Sequence, residues 1–260
     1  MQLFKEGLSK LKEKFDGTLG EPFIIESNKF KALYFDSEST QSLMDMQAPM
    51  RLVVSYTETM MGFLLFHDAP KSIAMIGLGG GSLAKYCHHH LQDASILVLE
   101  NNPKVIALKD KFHVPTNGAR FQVLEADGAA YLRSTEDKFD VLLVDGYTKQ
   151  GQAAQLCSDD FYASCLACLN PGGLLVINFS GAAGLNQVYQ ERIDRIFEHP
   201  SVLVVEDDRM NQILFVSNGS SLNLPAEELM RRSTALSKNH EIHLSRTTQN
   251  FLAQRKLDSC

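Results

Sequence analysis

A doubly covered, mostly parallel α/β sheet with a small antiparallel β subdomain in front of it is the fold this 260-residue sequence predicts. Three observations carry that expectation. From residue 72 onward, apolar runs alternate with helical stretches: "SIAMIGL", "SILVLE", "FQVLEA", "FDVLLVD", "GLLVINF", "SVLVVED" and "QILFVS". Their hydrophobicity is continuous rather than alternating, as expected for strands covered by helices on both faces. Finally, the last two runs are separated only by the polar "DDRMN". That link is too short for a helical crossover, so these two strands should be antiparallel.

In chain order, "MQLFKEGLSKLKEKF" reads as a short amphipathic stretch without the apolar centre of a secretion signal. The runs "PFIIES", "FKALYFD" and "TQSLMDM" suggest three short strands of an antiparallel sheet. "PMRLVVSYTETMMGFLLF" (49–66) reads as a mostly buried helix opening at Pro49. Farther on, Asn102 can cap a helix opened by Pro103, and Ser158 one containing Asp159 and Asp160. "LNPGG" ends a helix and turns into the fifth strand. After residue 218, "PAEELMRRSTALSK" is helical and a polar tail follows, with no legible motif. The expected division is 1–48 for the N-terminal helix and β subdomain, 49–218 for a Rossmann-like nucleoside-binding catalytic domain, and 219–260 for a C-terminal helical extension.

Composition narrows the function. The chain carries 25 basic and 31 acidic residues, net −6, which argues against a general nucleic-acid binder. No run approaches the ~18 apolar residues of a membrane span. An odd count of five cysteines suits a reducing compartment, so the expected location is cytoplasmic. Cys165 and Cys168 form a lone C-x-x-C that reads as helix core, and no metal is expected. His88, His89 and His90 read as the solvated end of a helix, about 100° apart around its axis and poorly placed to share an ion.

The chemistry gathers around "MIGLGGGSLAKYC" (75–87), where Gly77, Gly79, Gly80 and Gly81 lead into a helix. Missing side chains let backbone amides and a helix N-terminus approach a ligand closely. Residues 79–84 satisfy G-x-G-x-x-A, and Glu100 lies about 20 residues on, where an acid would hold a ribose. Either a dinucleotide or S-adenosylmethionine would fit such a loop. Asp127-Gly128 after the third strand and Asp145 at the end of the fourth place further carboxylates around a cleft at the topological switch point. With the antiparallel finish, these residues match the seven-stranded class I S-adenosylmethionine-dependent methyltransferase-type sheet better than a six-stranded parallel dinucleotide fold.

"IGLGGGSLAKYC", "LENNPKVIAL", "EADGAAYL" and "FDVLLVDGYTKQGQAAQLCSDDFYASCLACLNPGGLLVINFS", preceded by "SYTETMMGFLL", resemble the spermidine synthase family of polyamine aminopropyltransferases over roughly residues 21–218. The resemblance implies that Gly77 to Ser82 floor a site for decarboxylated S-adenosylmethionine, including Gly79, Gly81 and Ser82. It implies that Glu100 binds the ribose with Asn101 beside the adenosine, and that Asp127 takes the adenine amino group beside Gly128. It places Gln41, Tyr56 and Glu58 toward the amine substrate and Asp145 as the catalytic carboxylate that accepts the amine's proton, in a homodimer built through the N-terminal sheet.

The pattern also departs from the family. Thr148 stands where the family's loop after the fourth strand has a second Asp, and Lys149 adds a positive charge. The Gly-rich loop lacks the family's Asp, "DDRMNQILFVS" replaces an aromatic wall, and the chain has no Trp. Three functions therefore fit: aminopropyl transfer to a polyamine or other amine, with Asp145 helped by Glu58 or Asp45; methyl transfer from intact S-adenosylmethionine; and nucleoside binding without catalysis.

Overall fold

The computed structural model describes residues 21–36, 40–148, 151–180, 183–206 and 211–257. Three short strands, β1 (Phe23–Glu26), β2 (Phe30–Tyr34) and β3 (Thr40–Asp45), form an antiparallel sheet in the order β1-β2-β3. The expected helix over 49–66 is shorter than its hydrophobicity suggested. The chain turns at residues 49–51 and is extended at Val54, and only then come α1 (Ser55–Met60) and a 3-10 turn at Met61–Leu65. Val53 and Val54 are β-branched, which favours extended backbone over a helix start.

The main sheet has seven strands: β4 (Ser72–Ile76), β5 (Ser95–Glu100), β6 (Phe121–Glu125), β7 (Phe139–Val144), β10 (Leu169–Ser180), β11 (Val202–Val205) and β12 (Asn211–Ser217). Their spatial order is β11-β12-β10-β7-β4-β5-β6. All pairs are parallel except those of β12, which runs antiparallel to β10 and β11. This is the seven-stranded methyltransferase-type sheet expected from sequence, antiparallel finish included. A two-residue hairpin, β8 (Tyr147–Thr148) with β9 (Gly151–Gln152), follows β7.

Alternate residues of each strand feed two separate cores. Ile73, Met75, Val98, Leu143, Val176 and Phe215 face one, and Ala74, Ile76, Leu142, Ile177 and Leu214 face the other. Burial on both faces is why these runs read as continuously apolar. The second core is closed by α4 (Gly128–Ser134), α5 (Asp159–Cys168) and α6 (Ala183–Phe197). Within α5 both Cys165 and Cys168 are buried, and the Cys168 thiol donates to the Leu132 carbonyl. Ser158 caps this helix through the Phe161 N–H, as expected. Asn102 likewise caps the short α3 (Pro103–Ile106) through the Lys104 N–H.

The first core is closed by α2 (Ser82–His90), by the 61–65 turn and by two C-terminal helices, α7 (Ala226–His240) and α8 (Leu244–Leu257). The tail that reads as polar is thus a packed helix. Phe251 is fully buried, its ring centroid 4.8 Å from Phe66 and 5.8 Å from Phe215. Thr247 and Thr248 are also buried, and Thr248 satisfies its hydroxyl by donating to the Leu244 carbonyl. Threonines turned inward in this way hide the apolar stripe from a sequence reading. Nor are the three histidines a solvated helix end. Only His89 is exposed; His90 packs on Tyr86 and His240, and His88 sits edge-on to Phe121. No helix among the described residues is long and apolar enough to cross a membrane.

Candidate active site

The chain leaves β4 in one direction, toward β5 and β6, and later returns on the other side through β7 and β10. Backbone separates at that switch point, and a cleft opens beyond the carboxyl ends of the strands. It forms a cavity of about 190 Å³. Gln41, Tyr56, Gly77, Gly79, Ser82 and Glu100 line it, and so do Asn101, Asp127, Gly128 and Asp145.

Glycine is required at Gly77 on two counts. Its φ is +97°, and a Cβ there would lie 2.3 Å from the Asp145 carbonyl oxygen. Beside it, the Gly77 N–H donates to the Leu99 carbonyl and the Asp145 N–H to the Ile76 carbonyl, each 2.9 Å. Glu100, at the end of β5, is 9% exposed. Its Oε2 accepts from the Leu78 N–H and its Oε1 from the Asn102 N–H, both at 2.9 Å. Two backbone donors thereby aim one carboxylate into the cleft, and each of its oxygens keeps a lone pair for a ligand. Asp127 caps α4, its Oδ1 accepting from the Ala130 N–H at 2.9 Å. Its Oδ2 faces the Gln155 amide at 3.5 Å.

Asp145 ends β7. Its Oδ2 accepts from the Tyr56 hydroxyl at 3.1 Å, and its Oδ1 from the Asn178 amide at 2.9 Å. Burial pushes its carboxyl above the usual carboxylate range, and the Asn178 and Tyr56 hydrogen bonds oppose that rise. The parallel register Ile177↔Val144 sets Asn178 beside Asp145. Tyr56 arrives from the first turn of α1.

Two of the anticipated residues are not on the cavity wall. Glu58 follows Tyr56 by two positions, about 200° around a helix, and its carboxylate instead accepts from the His243 N–H at 3.3 Å. Gly81 caps α2 in the left-handed region, with φ +68°, and its missing side chain makes room for Val114, whose Cγ2 would lie 2.4 Å from a Cβ. Asp45 is also off the wall; its Oδ1 accepts from the Gln47 N–H. Thr148 lies in the β8–β9 hairpin, and Lys149 falls outside the described residues.

Sequence reading missed Ser42, Phe35, Gln155 and Leu156 on the wall and Asn178 behind Asp145. None belongs to a motif. The one available signal was Asn178 itself, a lone polar residue in the apolar run "LLVINF".

A spermine/spermidine synthase domain matches residues 53–202, more than half of the chain. The polyamine aminopropyltransferase of Chromobacterium violaceum is 39% identical over 176 residues, 67% of this chain and 67% of that one. That of Neisseria meningitidis serogroup A is 32% identical over 225 residues, 86% of each chain.

The chain belongs to the spermine/spermidine synthase family.

It is a transferase of the spermidine synthase-like kind. Solved structures agree on the fold. A spermidine synthase in complex with the transition-state analogue AdoDATO superposes with a TM-score of 0.68 at 18% identity, over 92% of this chain and 88% of that one. Human methyltransferase-like protein 13 in complex with SAH gives 0.65 at 20% identity, over 72% and 93%. The described residues that line the cleft include Glu100, Asp127 and Asp145 but no Lys, Arg or His.

Proposed function

We propose that this enzyme transfers an aminopropyl group from decarboxylated S-adenosylmethionine to a small amine. One observation carries the reading: three carboxylates converge on the cleft with no cationic side chain among the described residues that line it. A sulfonium nucleoside and an ammonium-bearing acceptor both complement that charge, whereas the carboxylate of an intact methionine tail would meet no cation.

In this reading Glu100 accepts from the ribose hydroxyls, with Asn101 beside the sugar, and Asp127 accepts from the adenine amino group next to Gly128. Gly77 and Gly79 floor the site. The acceptor enters between Tyr56, Gln41 and Asp145. Its amine must lose a proton to attack, since free alkylamines carry a pKa of about 10.4. Asp145 accepts that proton as the nitrogen lone pair forms a bond to the methylene carbon next to sulfur. The carbon–sulfur bond breaks with its electrons moving to sulfur, which leaves as the neutral thioether methylthioadenosine. Tyr56 and Asn178 hold the carboxylate in line and favour its charged form.

Incubation with decarboxylated S-adenosylmethionine and putrescine or spermidine should release methylthioadenosine; no release with any amine would reject the reading. The absence of an acid from the loop at Gly79–Gly81 favours one alternative, methyl transfer from intact S-adenosylmethionine. Tighter binding of the intact than of the decarboxylated nucleoside would support that alternative. The same proposal carries a cytoplasmic homodimer with a small-molecule partner, no nucleic acid and no metal, and sedimentation at micromolar concentration tests the dimer.

A further inference from the structure

Behind the Gly-rich loop, off the cleft wall, lies a buried lysine. Lys85 follows Ser82 by three residues on α2 and is 1% exposed. Its Nζ donates to the Phe112 carbonyl at 2.8 Å. Phe112 closes a 3-10 turn, Lys109–Phe112, and the carbonyl before it, that of Lys111, accepts from Lys31 Nζ of β2 at 2.9 Å. The last carbonyls of a helical turn have no partner within it and carry partial negative charge. Here two ammonium groups, one from α2 and one from the N-terminal sheet, take them.

The turn matters because of where it leads. At His113 the backbone enters the left-handed region, φ +59°, and brings Val114 back toward the loop. Phe112 and Val114 are both buried, and they occupy the space that two glycines leave. A Cβ on Gly80 would lie 3.1 Å from Phe112 Cδ1, and one on Gly81 would collide with Val114 Cγ2. Segment 109–114 is thus a strap packed on the loop, and Lys85 ties it to the helix that the loop opens. On the cleft side of the same loop, Gly79 and Ser82 are wall residues and the Leu78 N–H holds Glu100.

We propose that Lys85 is a positioning residue for the donor nucleoside, pinning the strap through the Phe112 carbonyl and thereby setting the backbone of the Gly-rich loop. This assignment rests on the nucleoside reading above and adds to it a residue that touches no ligand. Burial, with the Lys31 charge adding to it, lowers the Lys85 ammonium to about 8. Lys31 is itself paired with Glu26 at 3.2 Å. Of the other charged groups on elements packed around Lys85, Asp45 and Glu100 accept from backbone N–H groups. Lys109 is half-buried, and Asp110, Lys111 and His113 are exposed. Above a pH of about 8, Lys85 keeps a hydrogen bond as a neutral amine but loses the charge that makes it strong. The hold on the strap is therefore full below that pH and relaxes as pH rises through it.

Calorimetry with methylthioadenosine, which has no group ionising between neutral and mildly alkaline pH, tests the assignment. Wild-type affinity should fall about threefold or more between about pH 7 and about pH 9.5, the span in which this lysine discharges. Lys85→Met, of similar length and uncharged, should bind about tenfold more weakly at neutral pH and show no further fall over that span. Without any ligand, it should also speed hydrogen exchange of the Gly81 N–H, which donates to the Leu78 carbonyl at 2.8 Å, by about tenfold. If Lys85→Met does not fold, Val114→Ala, which loosens the strap and keeps the lysine, should show the same weaker binding and faster exchange. A wild-type affinity flat over that span, a Lys85→Met profile that falls in parallel with wild type, or Gly81 exchange unchanged in the variant would overturn the assignment. A wild-type protein that binds no nucleoside would bring down the nucleoside reading instead, and the exchange measurement tells the two failures apart.

Discussion

The two halves of the cleft are built in different ways. The half around Glu100 is fixed by backbone. Leu78 N–H and Asn102 N–H hold the acid, and Gly77 seats against the Asp145 carbonyl. The half around the Asp145 carboxylate is made by side chains from three distant segments, Tyr56 on α1, Asp145 after β7 and Asn178 on β10. Backbone-built sites tolerate little change of residue type, because the spacing itself makes the geometry. Side-chain-built sites can change partners one at a time. One departure from the family pattern, Thr148 for an acid, follows β7, and another, the missing acid, falls in the Gly-rich loop of the first half, whereas the acids at the strand ends stay in place.

Substitutions can separate the halves. Asp145→Asn should lower turnover by about 10²–10⁴-fold, the usual range for a lost general base, with methylthioadenosine affinity kept. Its melting temperature should hold or rise, because the folded carboxyl is raised and its ionised form is therefore disfavoured by folding. A large loss of nucleoside affinity in this variant would break the division. Glu100→Ala should weaken nucleoside binding by roughly ten- to a hundredfold and leave the Leu78 and Asn102 N–H groups without acceptors, at a stability cost of about 1–3 kcal/mol. Isothermal titration and chemical denaturation would measure the two effects.

Tyr56→Phe should cost about tenfold in kcat/KM, the order expected for one hydrogen bond to a charged group. It should also move the acid limb of the pH profile. Activity is present above the Asp145 pKa and lost as pH falls through it, and removing a donor raises that pKa further. The limb should therefore shift to higher pH, and an unmoved limb would detach Tyr56 from Asp145 ionisation. The smallest effect is expected for Glu58→Gln, within about twofold in kcat/KM, because its carboxylate meets His243 and not the cleft.

The same contrast explains what could be read from the chain. Strand ends carrying Glu100, Asp127 and Asp145 were legible because two-sided burial writes continuous apolar runs whose ends mark the cleft. The geometry of the half around Glu100 followed from glycine spacing and an acid at the right distance. Tyr56 was legible, but Glu58 was assigned with it on a two-residue spacing that a helix turns to its opposite side. Asn178 and Ser42 depend on strand register and on one sheet docking over another, which no local pattern encodes. Gly81 belongs to the loop motif, yet its missing side chain serves Val114. The start of α1 was misplaced because Pro49 is a strong helix-opening signal, while the extended preference of Val53 and Val54 is weak and prevailed in context.

Gly62 sits two residues after Met60, where α1 ends, and a Cβ on it would meet Thr247 of α8 at 3.0 Å and Phe215 at 3.2 Å. The final helix therefore buttresses the short segment that delivers Tyr56. Trimming the protein before Leu244, or fusing a bulky partner that pries this helix loose, would disturb the Tyr56–Asp145 corner of the cleft from the far side of the molecule, with every residue of the cleft still in place.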